Sequence, residues 1–161
     1  MNIDINLIHI CRVLNKYSVK YLIVGGAAVA FHGYARLSTS ISGKPIEKPD
    51  YDFWYKPVYA NYFGILKSLN ELGVDTSRLM NQTAIDVKKA FLRIPHPDYT
   101  IDFLPVLINL SEFNNCHSKC DKIDFEGVDL YFIGLNDLLK EKRSTGRSKD
   151  IDDFNQLNNL I

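Results

Sequence analysis

A short apolar run, Tyr21-Leu22-Ile23-Val24, stops on paired glycines and restarts as Ala27-Ala28-Val29-Ala30-Phe31 before closing on His32-Gly33. The first run reads as a buried strand over 22 to 24 and the second as a short helix over 27 to 31, with Gly25-Gly26 as the tight turn between them. Strand, glycine turn and helix in immediate succession constrain the chain more than any other stretch. Glycines without side chains let backbone amides approach a ligand, and the unpaired amides and positive dipole end of a new helix favour an anion such as phosphate.

The second constraint lies downstream in Asp50-Tyr51-Asp52-Phe53-Trp54. In a strand, carboxylates at i and i+2 project from one face while Tyr51 and Phe53 turn to the other. Two neighbouring carboxylates repel unless a positive charge lies between them. Hard oxygens on one face suit Mg²⁺, which takes one or two protein carboxylates and completes its shell with water and phosphate. A third carboxylate, Asp102, stands inside the apolar run Thr100-Ile101-Asp102-Phe103-Leu104, where burial without a partner or cation is costly.

The remaining elements follow from periodicity. Leu7, Ile8, Cys11 and Leu14 predict a helix over 4 to 17 with Asp4 as N-cap. Tyr62, Phe63, Leu66, Leu69 and Leu72 make one stripe over 58 to 72, and Gly73 closes it. The runs 91 to 94 and 100 to 104 flank His96-Pro97-Asp98 as a hairpin, and 122 to 131 predicts a second hairpin around Glu126-Gly127. A short segment is expected near 111 to 113, and two helices, 136 to 144 and 149 to 158, finish the chain. The proline-bracketed polar stretch from Ser38 to Pro49 reads as a loop and is the expected mobile element.

Length and charge bound the function. With 161 residues, 46% of them hydrophobic and 24% charged, one domain with a sizeable core is expected. Formal net charge is zero, so a nucleic-acid partner must be recognised through local patches. No run approaches the length that crosses a bilayer and no signal-type N-terminus is present, which predicts a cytoplasmic protein without membrane contact. Cys11, Cys116 and Cys120 are odd in number and unevenly spread, which argues against a disulfide framework. Cys116-His117-Ser118-Lys119-Cys120 lacks a fourth ligand at zinc-finger spacing and reads as a structural or exposed loop. His32 reads as a helix-end packing or hydrogen-bonding residue.

Gly25-Gly26, the run His32-Gly33-Tyr34-Ala35-Arg36 with Thr39 nearby, Asp50-x-Asp52 and the later Asp102 together resemble the nucleotidyltransferase superfamily that shares its palm with DNA polymerase beta. Within it, the chain is similar to the minimal bacterial group that includes abortive-infection, type IV toxin-like nucleotidyltransferases. The tail, Leu135 to Arg143 and Arg147-Ser148-Lys149-Asp150-Ile151-x-Asp153, resembles that group as well, so the similarity spans about residues 20 to 155. The order of the motifs carries the resemblance more than any one of them.

The resemblance implies an α+β nucleotidyltransferase fold: a small mixed β-sheet flanked by helices, with C-terminal helices. One domain would cover 1 to 161, its catalytic core at about 20 to 105 and a C-terminal hairpin and helices at about 120 to 161. It implies transfer of a nucleoside monophosphate from a nucleoside triphosphate to an acceptor hydroxyl on RNA, such as a tRNA end, or on a protein side chain. Asp50, Asp52 and Asp102 would hold Mg²⁺ or Mn²⁺, with Asp102 also helping to deprotonate the acceptor. Gly25, Gly26, Arg36, Thr39 and Lys44, with Lys48 beside them, would hold the triphosphate. A toxin-like role implies a cognate antitoxin.

The chain departs from the pattern in two places: Ser40 to Lys48 looks inserted, and Gly-Gly replaces the Gly-Ser of many relatives. The basic run Lys140-x-Lys142-Arg143-x-x-x-Arg147-x-Lys149 reads either as favourable charge at a helix C-terminus or as a phosphate- or RNA-facing patch. The alternatives to a polymer-modifying enzyme are a catalytically silent nucleotide- or partner-binding module on the same fold, and an aminoglycoside-type enzyme with an acidic pocket beside the metals.

Overall fold

A computed structural model describes residues 2–34, 48–110 and 112–161. Arg36, Thr39, Lys44 and nearly all of the expected polar loop lie outside them. The described strands are β1 (Tyr21–Val24), β2 (Asp50–Tyr55), β3 (Leu92–Pro95), β4 (Thr100–Leu104), β5 (Asp121–Phe125) and β6 (Val128–Phe132). The helices are α1 (Ile5–Lys16), α2 (Gly25–Phe31), α3 (Tyr59–Glu71), α4 (Ser77–Met80), α5 (Phe113–Ser118), α6 (Leu135–Thr145) and α7 (Ser148–Asn158).

The strands form one mixed sheet in the order β3-β4-β2-β1-β6-β5. The pairs β2–β4 and β1–β6 run parallel, whereas β1–β2, β3–β4 and β5–β6 run antiparallel. The sheet with its seven helices is the α+β architecture expected. Both hairpins form as the turn residues dictate. Glu126 and Gly127 between β5 and β6 have φ of 54° and 81°, the double left-handed turn whose twist matches its flanking strands.

Cross-strand partners share a face, so the register sorts side chains into two layers. One face carries Tyr21, Ile23, Tyr51, Phe53, Ile101 and Phe103, all buried. Phe53 packs edge-on to Tyr21 at 5.5 Å and stacks on Phe103 at 5.4 Å between ring centres. α1 packs on β6 and against α3, while α2 packs on β1 and β2. Asp4 caps α1 as expected, its carboxylate accepting from the Asn6 amide at 2.8 Å. The opposite face carries Asp50, Asp52, Asp102 and Arg93, and there the chemistry gathers.

The region after β4 departs from expectation. Phe113, at the end of the short segment expected near 111 to 113, opens α5, which takes in the first part of the Cys116 loop, with Phe113 and Cys116 buried one turn apart and Trp54 edge-on to Phe113 at 5.3 Å; Ser111 lies outside the described residues. Six residues are too few to show helical periodicity, and it is the contact with β2 that stabilises the turn. The three cysteines form no disulfide. α4 and a 3₁₀ turn at Val87–Lys89 occupy a stretch with no expected element.

Candidate active site

β1 delivers the chain into the glycine turn at Val24, and Val24 stands in register with Asp52 on β2. Gly25 has φ of 62°, a left-handed conformation in which a side chain is strained. A Cβ built there would lie 2.1 Å from Asp52 Oδ2, so the backbone and the carboxylate share a space that only glycine leaves open. At Gly26 a Cβ would meet nothing within 4 Å. The first glycine is required by the neighbouring carboxylate; the second borders open space. α2 begins at Gly25, two residues ahead of the expected start, and ends where His32 Nε2 meets the Ile133 carbonyl at 2.7 Å, the packing role expected of that histidine.

On β4, Asp102 is the in-register partner of Asp52. β4 is also paired with β3, where Arg93 faces Asp102. Three adjacent strands thus set Arg93, Asp102 and Asp52 in a row on one face. The Arg93 guanidinium grips Asp102 as a fork, Nε to Oδ1 at 2.9 Å and Nη2 to Oδ2 at 2.7 Å. Asp102 is 8% exposed, whereas the Arg93 side chain is 66% exposed. A planar fork filling both oxygens is the strongest form of this ion pair.

Among the described residues, Asp52 has no such partner. Burial first, then the charges of Asp102 and Asp50, push its carboxyl up to about 6 from an ordinary 3.8, against the lowering pull of Lys149 and Lys142. Asp50, two residues earlier on the same face, is exposed.

These groups line one cleft of about 410 Å³, together with Gly25, Gly26, Phe91, Leu104, Leu107, Glu141, Lys142, Arg147 and Lys149. Its fourth side comes from α6 and α7. There Lys142 is buried and donates to Asp150 at 2.8 Å, with Asp153 at 3.2 Å. Asp150 also accepts from Thr145 and Arg147. Burial works to raise the Asp150 carboxyl, but those hydrogen bonds outweigh it and hold the group at about 2. Lys142 is therefore neither a solvated helix-end charge nor a surface phosphate patch: its ammonium ties α6 to α7. Arg147 and Lys149 bring positive charge to the cleft lining, and Glu141, held above the ordinary carboxylate range by burial, adds a fourth acid.

Asp50, Asp52, Asp102, Gly25 and Gly26 thus line the same cleft. Lys48 does not line it among the described residues. Among those residues no group of three or more His, Cys, Asp or Glu side chains is gathered tightly enough to enclose a metal ion. The donor chemistry still fits a hard divalent cation at Asp50 and Asp52, where a half-buried carboxylate stands beside two others and, among the described residues, lacks a cationic fork of its own. Asp102 already has its cation, in Arg93. Arg93 was missed from sequence although a signal existed: once the hairpin turn is set at 96 to 99, position 93 must face 102. Glu141 also went unread, and the α6–α7 basic residues carried only an ambiguous patch.

No protein-family model and no curated protein matches this sequence. Among solved structures, the chain is similar to the lincomycin-bound lincosamide antibiotic adenylyltransferase LnuA, with a TM-score of 0.55 over 100% of both chains at 12% identity. An antigenic nucleotidyltransferase-like protein from Paracoccidioides brasiliensis matches with a TM-score of 0.46, 14% identity, 96% of this chain and 75% of its own. No described helix is long and apolar enough to cross a membrane. At such identities the likeness is one of architecture, and the architecture of this chain is the nucleotidyltransferase fold.

Proposed function

We propose that this chain is an enzyme that transfers a nucleoside monophosphate from a nucleoside triphosphate to an acceptor hydroxyl, the whole chain acting as one unit. The observation that carries the reading is the in-register pair Asp52 and Asp102, lying in one cleft with the Gly25-Gly26 turn and the cationic Arg147 and Lys149. In the reaction the acceptor oxygen bonds to the α phosphorus, the bond from that phosphorus to the bridging oxygen breaks, and pyrophosphate leaves with the electron pair. Asp102 would take the acceptor proton, a role supported by its place in the cleft beside Asp52. The Gly25-Gly26 turn would receive the triphosphate, with Arg147 and Lys149 supplying positive charge from the same cleft. Arg36, Thr39 and Lys44 would add to this from the segment between α2 and β2.

Asp50 and Asp52 would hold Mg²⁺ or Mn²⁺, which when bound neutralises phosphate charge during the transfer. The acceptor class favoured by the motif resemblance is an RNA end, such as that of tRNA, or a protein side chain, in a cytoplasmic setting. The same resemblance supports a bacterial toxin-like role, which co-expression with a neighbouring antitoxin would test.

The direct test is incubation with each labelled nucleoside triphosphate, Mg²⁺ and total cell RNA or protein, comparing the native chain with Asp52→Asn. Label should appear on one acceptor class and vanish in the variant. Transfer unchanged in the variant overturns the mechanism, and tight nucleotide binding with no transfer by the native chain identifies a silent binding module.

A further inference from the structure

We infer that Arg93 is an exchangeable counter-ion for Asp102, occupying this carboxylate while the cleft is empty and moving to the substrate's phosphates when nucleotide enters. The inference rests on the reading of the cleft as a nucleotide site and assigns to Arg93 a positioning role that none of the sequence motifs predicts.

Four observations converge on it. Both Asp102 oxygens accept from Arg93, at 2.9 and 2.7 Å, so one acceptor site on each oxygen is taken and any cation brought to Asp102 meets the repulsion of the guanidinium beside it. The two partners differ in freedom. Asp102 is buried at the centre of three paired strands, whereas Arg93 is two-thirds exposed on the edge strand β3. Its guanidinium carbon lies 5.7 Å from the exposed Phe91 ring, and both line the same cleft, so the side chain can swing without opening a void in the core. Finally, the row Arg93–Asp102–Asp52 holds one cation and two carboxylates, so within the sheet the guanidinium stands beside a second acid, and the other cations of the cleft come from Lys142, Arg147 and Lys149.

A triphosphate with its divalent cation changes both sides of this balance. The cation competes for the carboxylates, and the phosphate oxygens offer the guanidinium a second anion with the same fork geometry. The Arg93–Asp102 bonds would be broken and Arg93–phosphate bonds formed, with no proton or electron transferred. The empty protein is thereby spared a buried, unpaired carboxylate at Asp102.

The test measures Mn²⁺ binding to the full chain without nucleotide, by electron paramagnetic resonance of the free ion, for the native chain, R93Q, R93K and D52N. Binding of a non-hydrolysable triphosphate is measured in parallel. Exchange predicts that R93Q binds Mn²⁺ about tenfold tighter and the triphosphate about tenfold weaker than the native chain, with R93K between them. Unchanged or weaker Mn²⁺ binding by an R93Q or R93K chain that still melts cooperatively overturns the inference. D52N separates the two levels: loss of Mn²⁺ binding there with no gain in R93Q sinks only the exchange. Native Mn²⁺ affinity in D52N sinks the reading of the cleft itself.

Discussion

The Asp52 carboxylate occupies the space that a side chain on Gly25 would need, Oδ2 lying 2.1 Å from the missing Cβ. Turn and acid are therefore one steric unit, and Gly25 is as much a part of the site as the acid beside it. Gly25→Ala combines a left-handed backbone, worth about 1 to 2 kcal/mol for an L-residue, with that overlap. Chemical denaturation should show a loss of at least this size. Adding Asp52→Ala should recover part of the loss in a double-mutant cycle, and strict additivity would show that the overlap is relieved elsewhere.

Asp52 holds its proton more tightly in the folded chain, at about 6, than its ordinary value of 3.8. Its contribution to stability is therefore greatest below about pH 4 and declines as pH rises to about 6, by on the order of 2 to 3 kcal/mol. Asp52→Asn should abolish transfer and yet raise the melting temperature at neutral pH. Activity that depends on the ionised acid should rise through about pH 6. A variant that melts lower than the native chain at pH 7 would contradict the assignment.

Lys142 satisfies two buried carboxylates at once. Lys142→Met leaves Asp150 and Asp153 without their shared cation, and removal of one partner from a buried ion pair costs about 3 to 5 kcal/mol. Urea denaturation should show that loss, and a drop below about 1 kcal/mol would mean that water enters between α6 and α7. Acid probes the same network. With Asp150 held at about 2 in the folded chain, its stabilisation is complete above its ordinary 3.8 and is lost as pH falls from there toward 2.

Tyr51 makes the opposite kind of prediction. The residue is 3% exposed and, among the described residues, its buried hydroxyl makes no hydrogen bond of good geometry, although Asp4 and Asn6 are polar groups that act on it. Tyr51→Phe removes an unsatisfied polar group, so stability should be unchanged or rise by about 1 kcal/mol. A loss in calorimetry would reveal that the hydroxyl does useful bonding in solution.

Much of the architecture was legible because it rests on local signals. The glycine turn, the Asp4 cap, the Glu126-Gly127 hairpin and the strand alternation at Asp50-Tyr51-Asp52 are each set by residues a few positions apart. Asp102 could be placed on a strand beside Asp52 only through the resemblance, since nothing local states which strands pair. α5 was not legible, because six residues carry no period and the helix is held by Trp54 from β2.

By itself, the order of residues determined which side chains face together along each strand and where the chain must turn, since backbone geometry repeats every two residues in a strand and glycine alone enters the left-handed turn without strain. Tertiary structure decided the partners. It set Arg93 on Asp102, set Asp52 beside two other acids, and turned Lys142 from an apparent surface charge into the buried tie between α6 and α7. Pairing and burial are properties of elements meeting across the fold, and it is burial that makes a charge's neighbours matter by removing the water that would otherwise screen it.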